Sequence, residues 1–228
     1  MSLFQAPPNS SIGGVSYLRV LAFSTREACS ILGCWTHWFT QMVARDTSYL
    51  AYDLLIRTLP RQPVSRKGKR ATGLYGDAHW KTGTREKVRW VNEVLAQYKR
   101  APEIIWLITD LDVMPLRPYS HLVTWFVRQP HEIVFMREPG HSLGLGGVKW
   151  VANTGFILLR NTPRVRDFVG HWYFRVRVNR KLLEQDLANW LLVKHVGHRE
   201  LNWSTIPTDL ATTKIEEVCA SLLRSHHP

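Results

Sequence analysis

Apolar residues along the chain fall into short β-rich runs separated by amphipathic stretches. Tyr17 to Ser24 (YLRVLAFS) is a compact apolar run and predicts a first strand. Thr25 to Met42 (TREACSILGCWTHWFTQM) opens on a hydroxyl residue and then repeats its apolar positions at helical spacing, so Thr25 reads as an N-cap. Ser48 to Ile56 predicts a second strand, and Thr84 to Tyr98 sets Val88, Val91, Leu95 and Tyr98 on one face of a helix. Glu103 to Thr109 (EIIWLIT) is almost continuously apolar, the pattern of a strand covered on both faces at the centre of a mostly parallel sheet. Beyond it the pattern predicts helices over 121–128, 164–178 and 184–195, and strands over 132–136, 156–160 and 203–206. Residues 1–14 read as a loose leader, 57–70 as a basic loop and 140–147 (GHSLGLGG) as a flexible loop. No repeat and no linker divides the 228 residues, so the expectation is one α/β domain.

Composition narrows the classes. A formal net charge of +12 draws phosphates, acidic glycans, nucleic acid or anionic headgroups without choosing among them. Cys29, Cys34 and Cys219 are too few for a disulfide framework or a zinc site, and their odd number points to a reducing compartment. Neither a secretory signal nor an apolar run of membrane-spanning length is visible, so a soluble, cytoplasmic domain is expected, alone or within a membrane-associated or multidomain parent. Most of the ten tryptophans are expected in packing, with one or two stacking on a sugar.

The candidate chemistry sits where the apolar run ends, in Asp110-Leu111-Asp112. Ligands of open α/β sheets bind at the carboxyl ends of strands. In extended backbone, residues two apart share a side, so Asp110 and Asp112 would converge while Leu111 faces away. Two such carboxylates repel unless a cation lies between them, and an all-oxygen platform suits Mn²⁺ or Mg²⁺. That ion would neutralise charge on a leaving diphosphate. A strand-end position also implies that replacing either carboxylate costs activity rather than stability.

These blocks resemble the nucleotide-diphospho-sugar transferases of the GT-A fold, closest to retaining xylosyl- and galactosyltransferases and small virus-encoded members. The resemblance rests on Glu103–Pro115 (EIIWLITDLDVMP), on Asn153–Asn161 (NTGFILLRN) with His171-Trp172, and on Glu184-Gln185-Asp186 with Asn189 and Leu191. It implies a twisted, mixed, mostly parallel sheet with helices on both faces. It further implies a UDP-sugar donor, a glycan or glycoprotein acceptor and retention of configuration, with no nucleic-acid partner.

By the same resemblance Ser24, Thr25, Arg26, Lys87, Asp110, Leu111, Asp112, Asn153, Thr154 and Gly155 would line the donor site, and Glu184 and Gln185 would flank the anomeric carbon. Lys87 would balance diphosphate charge, against the alternative of an ordinary helix-surface lysine. Glu184 has the alternative of stabilising a helix N-terminus. Relatives supply a third metal ligand from a late His-x-x-Gly motif, of which this chain has no clean copy. His226 is the candidate taken here, with His227, His195 and His198 as substitutes. The competing readings are a haloacid-dehalogenase-type phosphatase, in which the first aspartate is a nucleophile, and a basic nucleic-acid-binding domain.

Overall fold

The computed structural model of the chain describes residues 17–25, 29–46, 51–59, 78–101, 103–111, 113–115, 118–139, 150–194, 201–207 and 211–212. In chain order the elements are β1 (Tyr17–Thr25), α1 (Cys29–Arg45), β2 (Ala51–Leu59), α2 (Ala78–Gln97), β3 (Ile104–Asp110), β4 (Met114–Pro115), α3 (Tyr119–Val127), β5 (Ile133–Pro139), β6 (Trp150–Arg160), α4 (Pro163–Val178), α5 (Glu184–Lys194), β7 (Trp203–Ile206) and β8 (Ala211–Thr212). Six strands form one sheet in the order β2-β1-β3-β6-β5-β7, while β4 and β8 make a small separate ribbon. The pairings β1–β2, β1–β3 and β5–β7 are parallel and β6 is antiparallel to both its neighbours, so five strands share one direction and β6 opposes them.

The central strand shows why the sheet is covered on both sides. Residues alternate across a strand. Ile105 and Leu107 of β3 therefore enter one apolar cluster with Trp35 and Phe39 of α1 and Leu122 and Phe126 of α3. Ile104, Trp106 and Ile108 enter a second cluster with Val88 and Val91 of α2, Phe168 and Trp172 of α4, and Leu187 and Leu191 of α5. In α4 the buried positions Val165, Phe168, Val169, Trp172 and Val176 recur at one-turn spacing. The helix is started by Thr162, whose Oγ1 accepts from the Val165 N–H at 3.2 Å, and by Pro163 in its first turn.

Four elements differ from expectation. Thr25 is the last residue of β1, paired with Leu59, while α1 is described over Cys29–Arg45, past its expected end at Met42; the N-cap reading of Thr25 turns on residues and a side chain outside the described ones. β2 is described from Ala51 and runs on past Ile56 through Arg57 and Thr58, which an edge strand tolerates because one side of it faces solvent. α2 begins at Ala78, its first turns carrying no apolar period to reveal them. β6 starts at Trp150 instead of Phe156, because its pairing with β5 jumps from Phe135↔Ile157 to Met136↔Asn153 and leaves Thr154–Phe156 unpaired on that side.

Cys34 is disulfide-bonded. The 1–14, 60–70 and 140–147 readings lie outside the described residues. Among the described residues no helix is long and apolar enough to cross a membrane.

Candidate active site

Asp110 is the last residue of β3, on the same side as Trp106 and Ile108, with its side chain 33% exposed above a fully covered strand. α2 crosses beneath it and delivers Lys87, whose side chain is only 1% exposed. The Lys87 Nζ lies 2.9 Å from Asp110 Oδ1 and 2.9 Å from Oδ2. It also donates to the Thr154 carbonyl at 3.2 Å and stands 3.6 Å from Glu184 Oε1. A buried ammonium is tolerable only when its three hydrogens find oxygen, and here they do. The surface-lysine alternative is therefore excluded.

Thr154 comes from the unpaired stretch of β6 and spends every polar group it has. Its carbonyl takes Lys87, its Oγ1 donates to Glu184 Oε1 at 3.1 Å, and its N–H donates to Gln185 Oε1 at 3.1 Å. The bulge presses this backbone toward Asp110. A Cβ on Gly155 would stand 2.9 Å from Asn153 Oδ1 and 3.0 Å from Asp110 Oδ2, so glycine is required there by space. Asn153 Oδ1 in turn accepts from the Gly155 N–H at 2.6 Å.

The start of α5 supplies the other wall. Glu184 is 4% exposed, and its backbone carbonyl accepts from Trp172 Nε1 at 2.8 Å. Its Oε2 is buried with no hydrogen-bond partner among the described residues. Gln185 Nε2 donates to Glu138 Oε2 at 2.6 Å while its Oε1 is held by Thr154, which fixes the amide in one orientation. Asn153 Nδ2 reaches the same Glu138 oxygen at 3.4 Å. Asn189 joins helix to sheet: its Oδ1 accepts from the Ala152 N–H and its Nδ2 donates to the Ala152 carbonyl, both at 2.8 Å.

Asp186 completes the group. Burial pushes its carboxyl upward from 3.8, the Leu183 N–H pulls it down, Glu184 and Glu138 push it up again, and Lys81 lowers it. Lys87 thus serves Asp110 and Glu184, with Glu138 and Asp186 beside them and Lys81 acting on Asp186, a gathering of carboxylates on a chain whose total is +12.

The structure joins Lys87, Asp110, Asn153, Thr154, Gly155, Glu184 and Gln185 in one network. Two expectations change. Glu184 lies beneath Lys87 and Thr154 instead of lining an open face. Leu111 turns away into the α1–α3 core, 5% exposed. The described strand ends at Asp110, whose carbonyl accepts from the Val113 N–H at 3.3 Å. Asp112, Arg26 and the histidines at 195, 198 and 226 lie outside the described residues, as do the side chains of Ser24 and Thr25. The backbone at the end of β1 is nonetheless adjacent, with Phe23 opposite Asp110. Among the described residues no three His, Cys, Asp or Glu side chains form a metal-holding group.

Glu138 was missed by sequence reasoning. The signal was available: it lies just past the predicted 132–136 strand, at the carboxyl end of β5, as Asp110 does on β3.

No family model and no curated protein matches the chain. Among solved structures, the bifunctional glycosyltransferase WbbM in its apo form is similar with a TM-score of 0.51 at 11% identity, over 89% of this chain and 40% of that one. This chain therefore spans well under half of WbbM. Mouse xyloside xylosyltransferase 1, apo form, gives a TM-score of 0.44 at 12% identity over 84% of this chain and 85% of its own. A putative glucose-1-phosphate thymidylyltransferase from Bacillus anthracis gives 0.46 at 11% identity, over 93% and 97%. At such identities the likeness is one of fold. The chain has a GT-A-like fold, a mixed sheet between two helical layers.

Proposed function

We propose that the chain is a glycosyltransferase that moves a sugar from a nucleotide-diphosphate sugar, a UDP-sugar by the resemblance, to a hydroxyl of a glycan or glycoprotein. Fold alone does not fix an activity, because such scaffolds host several chemistries. The observation that carries the reading is Asp110: a half-open carboxylate at the carboxyl end of the central strand, gripped from below by a buried lysine.

A carboxylate has about four lone-pair positions, so Asp110 keeps acceptor capacity on its open side after Lys87 is served. That all-oxygen character fits Mn²⁺ or Mg²⁺, with Asp112 as second ligand and His226 as third. When bound, the ion would supply neutralising charge to the donor diphosphate.

The chain's own residues account for the rest. Gly155 leaves room for a ligand against Asp110, and Ser24, Thr25 and Arg26 lie in sequence at the end of β1, beside Asp110's strand, where a nucleotide would rest. Lys87 holds Asp110 in place and lends positive charge to the diphosphate side. Glu184 acts through Lys87 and Thr154 as a positioning residue. Gln185, half-buried and locked by Glu138, faces developing positive charge at the anomeric carbon with the remaining lone pair of its Oε1. In a retaining transfer the bond from the anomeric carbon to the phosphate oxygen breaks as the bond to the acceptor oxygen forms on the same face. The acceptor's proton passes to the leaving phosphate oxygen.

The phosphatase alternative needs Asp110 as a nucleophile, and both of its oxygens already accept from Lys87, which blunts them.

Calorimetry against nucleotides and nucleotide sugars, with and without Mn²⁺, is the test. Metal-dependent binding of a UDP-sugar is expected, and Asp110→Asn should lower transfer on the order of 10²–10³-fold. Donor binding undiminished by a chelator rejects the metal assignment, and phosphate release from simple esters would put a phosphatase in its place.

A further inference from the structure

We propose that the carboxyl-terminal half of α4 and the turn after it form a docking surface for an anionic lipid bilayer. Phe174, Val178 and Leu182 are 56%, 59% and 45% exposed, three of the five large apolar side chains that stand out among the described residues. Phe174 and Val178 are one turn apart and lie on the side of α4 opposite Trp172 and Val176, which are buried. That outermost line is where an ordinary surface helix places charge. Here the charge flanks it instead. Residues 168–183 contain Arg175, Arg177, Arg180 and Lys181 and no Asp or Glu. Asp167 bounds the patch at its upper end.

The surface is ordered before anything binds it. Asn179 Oδ1 accepts from the Lys181 N–H at 3.0 Å and the Leu182 N–H at 3.1 Å, which folds the turn back on the helix end. The Asn179 carbonyl accepts from Arg85 Nη2 at 3.2 Å, and Arg175 lies 4.8 Å over the Trp190 ring. Apolar side chains inserted among headgroups with cations beside them is the arrangement of interfacial helices. A nucleic acid would engage the cations but gain nothing from aliphatic Val178 and Leu182. From Leu182 the chain passes through Leu183 straight to Glu184 and Gln185, so a bilayer held there would lie beside the carboxylate cluster.

The inference stands apart from the transferase reading, because it is tested without nucleotide. The full chain is sedimented with vesicles of phosphatidylcholine and of phosphatidylcholine with phosphatidylglycerol. Binding to the anionic vesicles is expected. A chain of net charge +12 attracts anionic vesicles by any face, so the decisive variant, Phe174→Ser/Val178→Ser/Leu182→Ser, keeps every charge. It should bind at least about tenfold more weakly with an unchanged circular dichroism spectrum. As a second variant, Arg177→Glu/Arg180→Glu should lose at least about tenfold, well beyond Lys99→Glu/Arg100→Glu, which makes the same charge change past the far end of α2. No sedimentation with anionic vesicles, undiminished binding by the serine variant, or equal loss in the two charge variants would overturn the proposal. So would a wild-type dimer that the serine substitutions dissolve, or binding of duplex DNA in preference to vesicles.

Discussion

Two ion pairs on the same side of the sheet are built to different plans. Near the amino end of β1, Arg19 Nε meets Asp53 Oδ2 of β2 at 2.6 Å, and the guanidinium lies 4.5 Å over Tyr98 and 5.3 Å over Trp106. One cation meets one anion, and aromatic faces cover what remains. At the carboxyl end, Lys87 is shared by Asp110 and Glu184, with Glu138 and Asp186 close by. The first pair is closed and neutral. The second gathers Asp110, Glu138, Glu184 and Asp186 near Lys87 and Lys81, so that among the described residues carboxylates outnumber cations at a half-open strand end, a state that a bound cation would relieve. Ion pairing alone therefore does not mark a site; imbalance at a strand end does.

That contrast can be broken by substitution. The largest effect should come from Lys87→Met, which leaves two carboxylates facing each other in a near-buried space. A loss of about 3–5 kcal/mol in urea unfolding is expected. A loss below about 1 kcal/mol would mean the pair is as dispensable as a surface bridge.

At the closed pair, Asp53→Leu alone should destabilise by about 1–3 kcal/mol because Arg19 is stranded. Arg19→Met/Asp53→Leu should recover most of that loss, since an apolar replacement of a balanced pair is often neutral. The corresponding Lys87→Met/Glu184→Gln should not recover, because Asp110 remains.

Gly155→Ala should cost about 1–3 kcal/mol from overpacking, with donor affinity falling further than stability implies. Equal affinity in this variant would separate the glycine from the site.

The smallest effect belongs to Asp186→Asn. A carboxyl raised in the folded state above 3.8 favours the protonated form, so its contribution is most favourable below that value and is lost as pH rises through the folded pKa. The variant should show a small rise in urea midpoint at neutral pH and a flatter decline above pH 3.8. No change, or a fall, would show that the Leu183 contact outweighs burial.

Much of this was legible in the sequence because the fold obeys its periods. β3 announces itself by an unbroken apolar run, and α4 and α5 by one-turn spacing. Where a period is broken, reading failed: the bulge at Thr154–Phe156 hid half of β6, and the polar first turns of α2 hid its start. Lys87 carried a signal that went unused. With Val91 four residues on and Val94 seven, it stands on the apolar face of α2, and a lone lysine on such a face needs a buried partner. The partner itself was out of reach, since Thr154 and Glu184 meet Lys87 only through tertiary packing. For the same reason the expectation that Asp110 could be replaced without loss of stability does not hold. Asp110→Asn strips Lys87 of a counter-charge and should cost about 1–3 kcal/mol.

The two-way amide clasp of Asn189 on Ala152 ties the helix that bears Gln185 to the strand that bears Gly155. Slow hydrogen exchange at the Ala152 amide would be the signature of that coupling.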